Sequence, residues 1–167
     1  MEAIEVLTGA VSLDPPWLIM EWIKTDLGSL TLDERDIPNV LQHVSKGLSY
    51  IHSKDFTHRD LKPAKILLIL KKPRLLVAKI ADFGLLKNVL SRKMQTYTGI
   101  SIYMAPEFWD ELAYTNSVDL WSFGVNAVQK LTNWQTQHEW DSRAPPTKDQ
   151  HREWVLSTLL PQVAAVP

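Results

Sequence analysis

The sequence predicts an α+β fold, and three observations predict it. Short apolar runs bounded by Pro, Gly and charged residues read as strands. An apolar stripe recurring at spacings of three and four reads as an amphipathic helix. A second long apolar stretch, with Ser117 as its candidate cap, reads as a buried helix.

In chain order, residues 4–13 are apolar up to the turn signal Asp14-Pro15-Pro16, and Trp17-Leu18-Ile19-Met20 follows. This gives two strands joined by a short connection. Residues 24–29 are polar, contain Gly28 and read as a linker. Asp36 is the candidate cap of the first helix, and Pro38 is tolerated in a first turn. Val40, Leu41, Val44, Leu48 and Ile51 form its core stripe, which ends near His52-Ser53. Residues 66–70 and 75–81 are apolar runs split by Lys71-Lys72-Pro73-Arg74, the pattern of a hairpin. Residues 88–102 are rich in Ser, Thr and Lys and read as a mobile loop. Residues 118–131 form the second helix, 134–148 carry Pro145-Pro146 without periodicity, and 149–160 are expected to form one last helix.

Composition narrows the function classes. A chain of 167 residues, 45% hydrophobic and 22% charged, has the balance of one globular domain. Lys+Arg is 18 against Asp+Glu 19, a net charge of −1, so no global field draws it to nucleic acid or an anionic membrane. The short basic stretch Lys71-Lys72-Pro73-Arg74 reads as a solvated hairpin tip, and no nucleic-acid partner is expected. No apolar run approaches a bilayer span, and Met1-Glu2-Ala3-Ile4-Glu5 lacks the character of a signal peptide. No membrane association is expected, and the default location is cytoplasmic, with the nucleus left open. Without cysteine there are no disulfides, zinc-thiolate sites or thiol nucleophiles, and the five histidines show no ligand spacing.

The chemistry-bearing residues come in an ordered series. His58-Arg59-Asp60-Leu61-Lys62-Pro63 lies between the long helix and the hairpin, and Asp82-Phe83-Gly84 closes the hairpin's second strand. Tyr103-Met104-Ala105-Pro106-Glu107 and then Asp119-Leu120-Trp121-Ser122-Phe123-Gly124 follow. Either triplet alone is weak, and Asp82-Phe83-Gly84 alone reads as a β-turn. In this order, with a strand pair between them, they resemble the protein kinase family, with Lys62-Pro63 pointing to the Ser/Thr type. The resemblance covers roughly residues 4–132. It implies a protein kinase-like fold, mainly the helical large lobe with the last small-lobe strands and the hinge. It divides the chain into a remnant of small-lobe strands and hinge (1–23), a large-lobe core (24–134) and a degenerate C-terminal segment (135–167).

The resemblance also implies roles. Asp60 would orient or accept the proton of a substrate hydroxyl, and Lys62 would neutralise charge on the transferred phosphoryl group. Asp82 would hold Mg²⁺, a hard cation that wants carboxylate oxygen. Met20 would be the gatekeeper, the backbone of Glu21 and Ile23 would face the adenine of ATP, and Leu67 would lie beneath the base. His58 and Phe83 would stack, and Asp119 would accept backbone hydrogen bonds from the His58-Arg59 turn. Arg59 would pair with a phosphorylated Thr96, Tyr97 or Thr98, although solvated loop hydroxyls explain those three equally well.

Four departures shape the expected function. Where the family places a metal-binding Asn, this chain has Lys65, an ammonium with three donors and no acceptor. Lys65 would repel a cation, or else reach ATP phosphate as a counter-charge in the metal's place. No glycine-rich loop, strand Lys or helix Glu lies ahead of residue 4, and Gly9 is isolated. Ile100 stands where Ser/Thr kinases place Thr, and the Arg partner of Glu107 has no clear counterpart in Arg143 or Arg152. The expectation is a truncated kinase-like protein, inactive or severely impaired, with weak ATP binding or none. The alternatives are a fragment of a longer active kinase and a non-catalytic module that binds a protein substrate or regulatory partner. Apolar surface left bare by missing elements would make the isolated chain marginally stable.

Overall fold

The computed structural model describes residues 3–7, 17–71, 74–83, 87–88, 102–109, 115–134 and 147–166. Strand β1 (Ala3–Leu7) pairs antiparallel with β2 (Trp17–Met20), Leu7 opposite Trp17 and Ala3 opposite Met20. A three-stranded antiparallel sheet follows in the order β3 (Thr25–Asp26), β5 (Ile66–Lys71), β6 (Leu75–Ile80). Between β3 and β5 the chain makes helix α1 (Ile37–His52) and the short strand β4 (Phe56–Thr57), which pairs with β7 (Lys87–Asn88). Helix α2 spans Ser117–Thr132. Helix α3 (Lys148–Trp154) runs through a π-helical turn, Val155–Leu159, into α4 (Leu160–Ala164).

The α1 stripe makes the main core. Val40, Val44, Leu48 and Ile51 are buried against Ile66 and Leu68 of β5 and Leu76, Ala78 and Ile80 of β6. Each such side chain contributes about 2 kcal/mol on leaving water, before entropy is set against it. The alternation in β5 and β6 sends every second residue to this layer. Two details fix the docking of helix on hairpin. Asn39 Nδ2 donates to Leu76 O at 2.7 Å. At Gly47 the backbone comes so close that a Cβ would stand 2.9 Å from Ile80 Cδ1. Asp36 sits at the start of α1, but its side chain makes no capping hydrogen bond there, so the Pro in the first turn is the working start signal.

Residues 24–29, expected as a linker, contain β3 instead. Thr25 and Asp26 pair with Leu68 and Leu67, Leu27 N donates to Ile66 O at 2.8 Å, and the Leu27 side chain is fully buried. Asp26 Oδ1 then accepts from Gly28 N and Ser29 N at 2.8 and 2.9 Å, which closes a tight turn after the strand. The single buried leucine outweighs the polar character of its neighbours.

A second cluster gathers around the middle of α2. Val125, Trp154 and Leu159 are buried, with Ile102, Tyr103, Trp121, Trp134 and Val155 packed around them. Trp134 stacks on Trp154 with ring centroids 6.1 Å apart. The expected last helix is present and reaches Ala164. Thr147 starts it with a reciprocal cap: its Oγ1 accepts from Gln150 N at 3.3 Å while Gln150 Oε1 accepts from Thr147 N at 2.8 Å. Ser117 is the first residue of α2 rather than its cap, Asn116 holding that position. Ser117 Oγ donates instead to Glu107 Oε1 at 2.7 Å. The helix stops at Asn133, whose φ of 53° is left-handed. The expected loop from 89 to 101 and the non-periodic stretch from 135 to 146 lie outside the described residues, as do Gly9, Gly84, Thr96, Tyr97, Thr98, Ile100 and Arg143.

Candidate active site

The turn after β4 is built around one carboxylate. Asp119, in the first turn of α2, is fully buried. Its Oδ2 accepts from His58 N and its Oδ1 from Arg59 N, at 2.8 and 2.7 Å. His52 Nε2, in the last turn of α1, lies 2.8 Å from Oδ2 as well. These bonds hold Arg59 at a φ of 69°, a left-handed conformation that a side chain resists. Thr57 Oγ1 donates to Asn116 Oδ1 just before α2, so β4 and α2 are tied at a second point.

His58 links this turn to the hairpin. Its ring is buried, and Nε2 faces Ala81 O at 3.1 Å. A carbonyl only accepts, so Nε2 carries the proton and Nδ1 is free to accept from Asp60 N at 3.4 Å. Burial pushes the His58 pKa down, against the opposing pull of the Ala81 bond and of Asp119 and Asp60. Phe83 meets the ring edge-on, centroids 5.7 Å apart. The Asp119 bonds match what the resemblance implied, and His58 and Phe83 meet as implied but edge to face rather than stacked.

Leu61 is fully buried and anchors the chain as it leaves Asp60. A 3₁₀ turn, Pro63–Lys65, follows, and Ala81 N donates to Lys65 O at 2.8 Å. That backbone bond sets the turn beside the end of β6, so Lys65 and Asp82 meet at the open end of the hairpin. Lys62 Nζ lies 3.2 Å from Asp60 Oδ1. The ammonium of Lys65 is paired with Asp82 Oδ2. Asp82 itself holds a φ of 63°, a second left-handed residue at the site.

Of the residues assigned to the adenine side, Met20 belongs to the β1–β2 pair, Glu21 and Ile23 to the segment after it, and Leu67 to the three-stranded sheet. Met20 ends β2 and is 44% exposed. Glu21 pairs with Lys79 of β6, whose hydrogen bond holds the Glu21 carboxyl below the usual carboxylate range. Lys79 stands opposite Leu67 in the β5–β6 register, which places the half-buried Leu67 beside that pair. Ile23 is half-buried between β2 and β3. His52 and Lys79 were missed by sequence reasoning. His52 ends an amphipathic stripe without any local hint of a carboxylate 67 residues away, and Lys79 reads simply as the outward residue of an alternating strand.

A pair of divalent cations at this place needs carboxylate and amide oxygens. Lys65 stands at the amide position, and its ammonium is paired with Asp82, the carboxylate that the resemblance implies for the metal. Among the described residues no group of three or more His, Asp or Glu is gathered to hold a metal ion. The side chains present do not fit the family's metal arrangement.

Residues 9–156 match the protein kinase domain family. The serine/threonine-protein kinase pakG of Dictyostelium discoideum is 30% identical over 145 residues, covering 81% of this chain and 12% of that protein. The serine/threonine-protein kinase pakH of the same organism is also 30% identical, covering 83% of this chain and 29% of its own length. The MAP kinase kinase skh1/pek1 of Schizosaccharomyces pombe is 38% identical over 100 residues, covering 60% of this chain and 26% of that protein. The chain thus spans less than a third of the length of these relatives. The series of motifs, the turn held by Asp119 and the extent of the match agree: the chain belongs to the protein kinase family.

Proposed function

We propose that this chain is a Ser/Thr-kinase-type domain whose nucleotide cleft persists but whose phosphoryl transfer is lost or severely impaired. The observation that carries this reading is the ion pair between Lys65 and Asp82. In this reading Asp60 keeps the position for orienting a substrate hydroxyl, and Lys62 the position for neutralising the transferred group. Met20 is the gatekeeper, the backbone of Glu21 and Ile23 faces the adenine, and Leu67 lies beneath it. Lys65 is directed to the phosphates. Asp82, the family's Mg²⁺ ligand, is engaged by Lys65 instead. Phosphoryl transfer depends on positioning and charge neutralisation. A cation fixed on the metal's own carboxylate removes the neutralisation that moves with the phosphate.

ATP with Mg²⁺ is the family's phosphoryl donor, and proteins are its acceptors. A protein substrate, or a regulatory protein held without turnover, is the partner this reading expects. No helix among the described residues is long and apolar enough to cross a membrane, and a cytoplasmic location goes with the proposal. A second reading, a segment of a longer active kinase, is favoured by the small share of each relative that the chain spans. Lys65 sits in the cleft in either case.

The test is phosphorylation of a generic basic protein by the chain with Mg²⁺ and ATP. No transfer above background is expected. Transfer that disappears in Asp82→Asn would overturn the proposal.

A further inference from the structure

We infer that the cleft binds a nucleoside triphosphate without a divalent cation, with the Lys65 ammonium standing in the metal's place. The inference rests on the nucleotide-cleft reading above, and it adds a definite ligand form: the free triphosphate rather than its Mg²⁺ complex.

The argument begins with donor chemistry. A lysine ammonium has three N–H donors and no acceptor. Lys65 gives one to Asp82 Oδ2. Two remain for oxygens of another molecule, and the charged oxygens of a phosphate chain are acceptors that suit an ammonium, with the Lys62 ammonium one helical turn away in sequence. Asp82 would by itself repel a phosphate. Paired with Lys65, its charge is cancelled in place.

Position supports the same conclusion. The 3₁₀ turn holds Lys65 by two backbone bonds, Lys65 N to Lys62 O and Ala81 N to Lys65 O, both 2.8 Å. The Lys65 side chain is only 20% exposed. The cation is therefore preorganised, much as a bound metal is, and little of its conformational freedom is lost on meeting the ligand. Burial also keeps the attraction from being screened by salt.

Charge balance then decides which form of the nucleotide fits. Asp60, Lys62, Lys65 and Asp82 form two ion pairs of no net charge. The free triphosphate brings its full negative charge to an ammonium with donors to spare. The Mg²⁺ complex brings a divalent cation toward that same ammonium, at a carboxylate already engaged. Like charges at close range in a partly buried site repel. Mg²⁺ should weaken binding here, opposite to its effect where a carboxylate and an amide lie open to it.

Equilibrium dialysis of ATP against the whole chain tests this, once in EDTA and once with saturating Mg²⁺, with adenosine as the probe lacking phosphates. The expected result is ATP retention in EDTA that Mg²⁺ reduces about tenfold, a difference of one ion-pair contact. Adenosine should bind more weakly than ATP in EDTA. Lys65→Asn, checked for folding by circular dichroism, should lose ATP in EDTA and gain it on adding Mg²⁺. Lys65→Met, which keeps the apolar stem but no charge, should lose ATP in EDTA without that gain. Mg²⁺-strengthened binding by the unaltered chain would overturn the inference, and so would no ATP binding in EDTA. Binding that Mg²⁺ strengthens overturns the inference and leaves the nucleotide cleft standing, whereas loss of both ATP and adenosine in EDTA and in Mg²⁺ overturns the cleft reading itself, and phosphoryl transfer is read separately by the transfer assay.

Discussion

Asp119 shows how one side chain can hold a site without touching a ligand. It is fully buried and accepts from two backbone N–H groups of the His58-Arg59 turn, with the His52 ring as a third neighbour. Its place in the first turn of α2 lets the helix dipole favour its charge. Removing it would orphan the His58 and Arg59 amides and free Arg59 from its left-handed conformation. Buried charge networks broken on one side typically cost about 3–5 kcal/mol. Asp119→Ala should therefore lower unfolding stability by that order in urea titration. Asp119→Asn, which retains one acceptor oxygen, should cost less. Equal, small losses in both variants would show that the turn holds its shape without the carboxylate.

At the scale of elements, α1 and the β5–β6 hairpin form one unit, and their contact is closest at Gly47. Any Cβ there meets Ile80 Cδ1 at 2.9 Å. Ala can be met by a small shift of that terminal methyl, and it gains helix propensity of about 1 kcal/mol. A longer side chain has to push the helix off the hairpin. Gly47→Leu should cost about 1–3 kcal/mol by overpacking, while Gly47→Ala should be near neutral. Thermal unfolding of the two variants side by side gives the comparison, and a Leu variant as stable as the parent would mean the two elements do not pack as described. These same elements were the legible ones. The 3.6-residue stripe of α1 and the alternation of the hairpin depend only on their own residues and one shared apolar layer. Helix α2 was read as apolar, yet it buries Asp119, Ser122, Asn126 and Gln129 on its inner side. Their partners, such as Tyr103 O for Ser122 Oγ at 2.7 Å and Tyr103 OH for Gln129 Oε1 at 2.8 Å, come from another segment, and local periodicity does not encode them. The strand Thr25–Asp26 escaped for the same reason, since it exists only because β5 offers it an edge. Of the residues that the motifs single out, Lys62 pairs with Asp60 and Lys65 with Asp82. Lys65 could be read as hostile to a metal, but its seat on Asp82 required the folded hairpin end.

Across the whole molecule, two buried histidines join parts of the chain that are far apart in sequence. His58 bridges the turn held by α2 to the hairpin end through Ala81 O, and His151 ties α3 to the segment before α2 through Met104 O at 3.1 Å. Burial pushes both pKa values down, outweighing the carbonyl bonds that oppose it. The unfolded chain takes up protons near pH 6.5, so below that value it binds more protons than the folded one. Stability then rises with pH through this window. The contribution is full above about pH 6.5 and is lost as pH falls toward the depressed folded values. With both rings contributing, the slope cannot exceed about 2.7 kcal/mol per pH unit. Most carboxylates titrate lower, so the interval from about pH 7.5 to 5.5 isolates the histidines. Urea midpoints should fall across that interval. The drop should shrink in His151→Gln, whose amide can still donate to Met104 O but takes up no proton. A flat midpoint from pH 7.5 to 5.5 would mean that both rings accept a proton in place, and that the joints between hairpin, α2 and the C-terminal helix are loose enough to admit water.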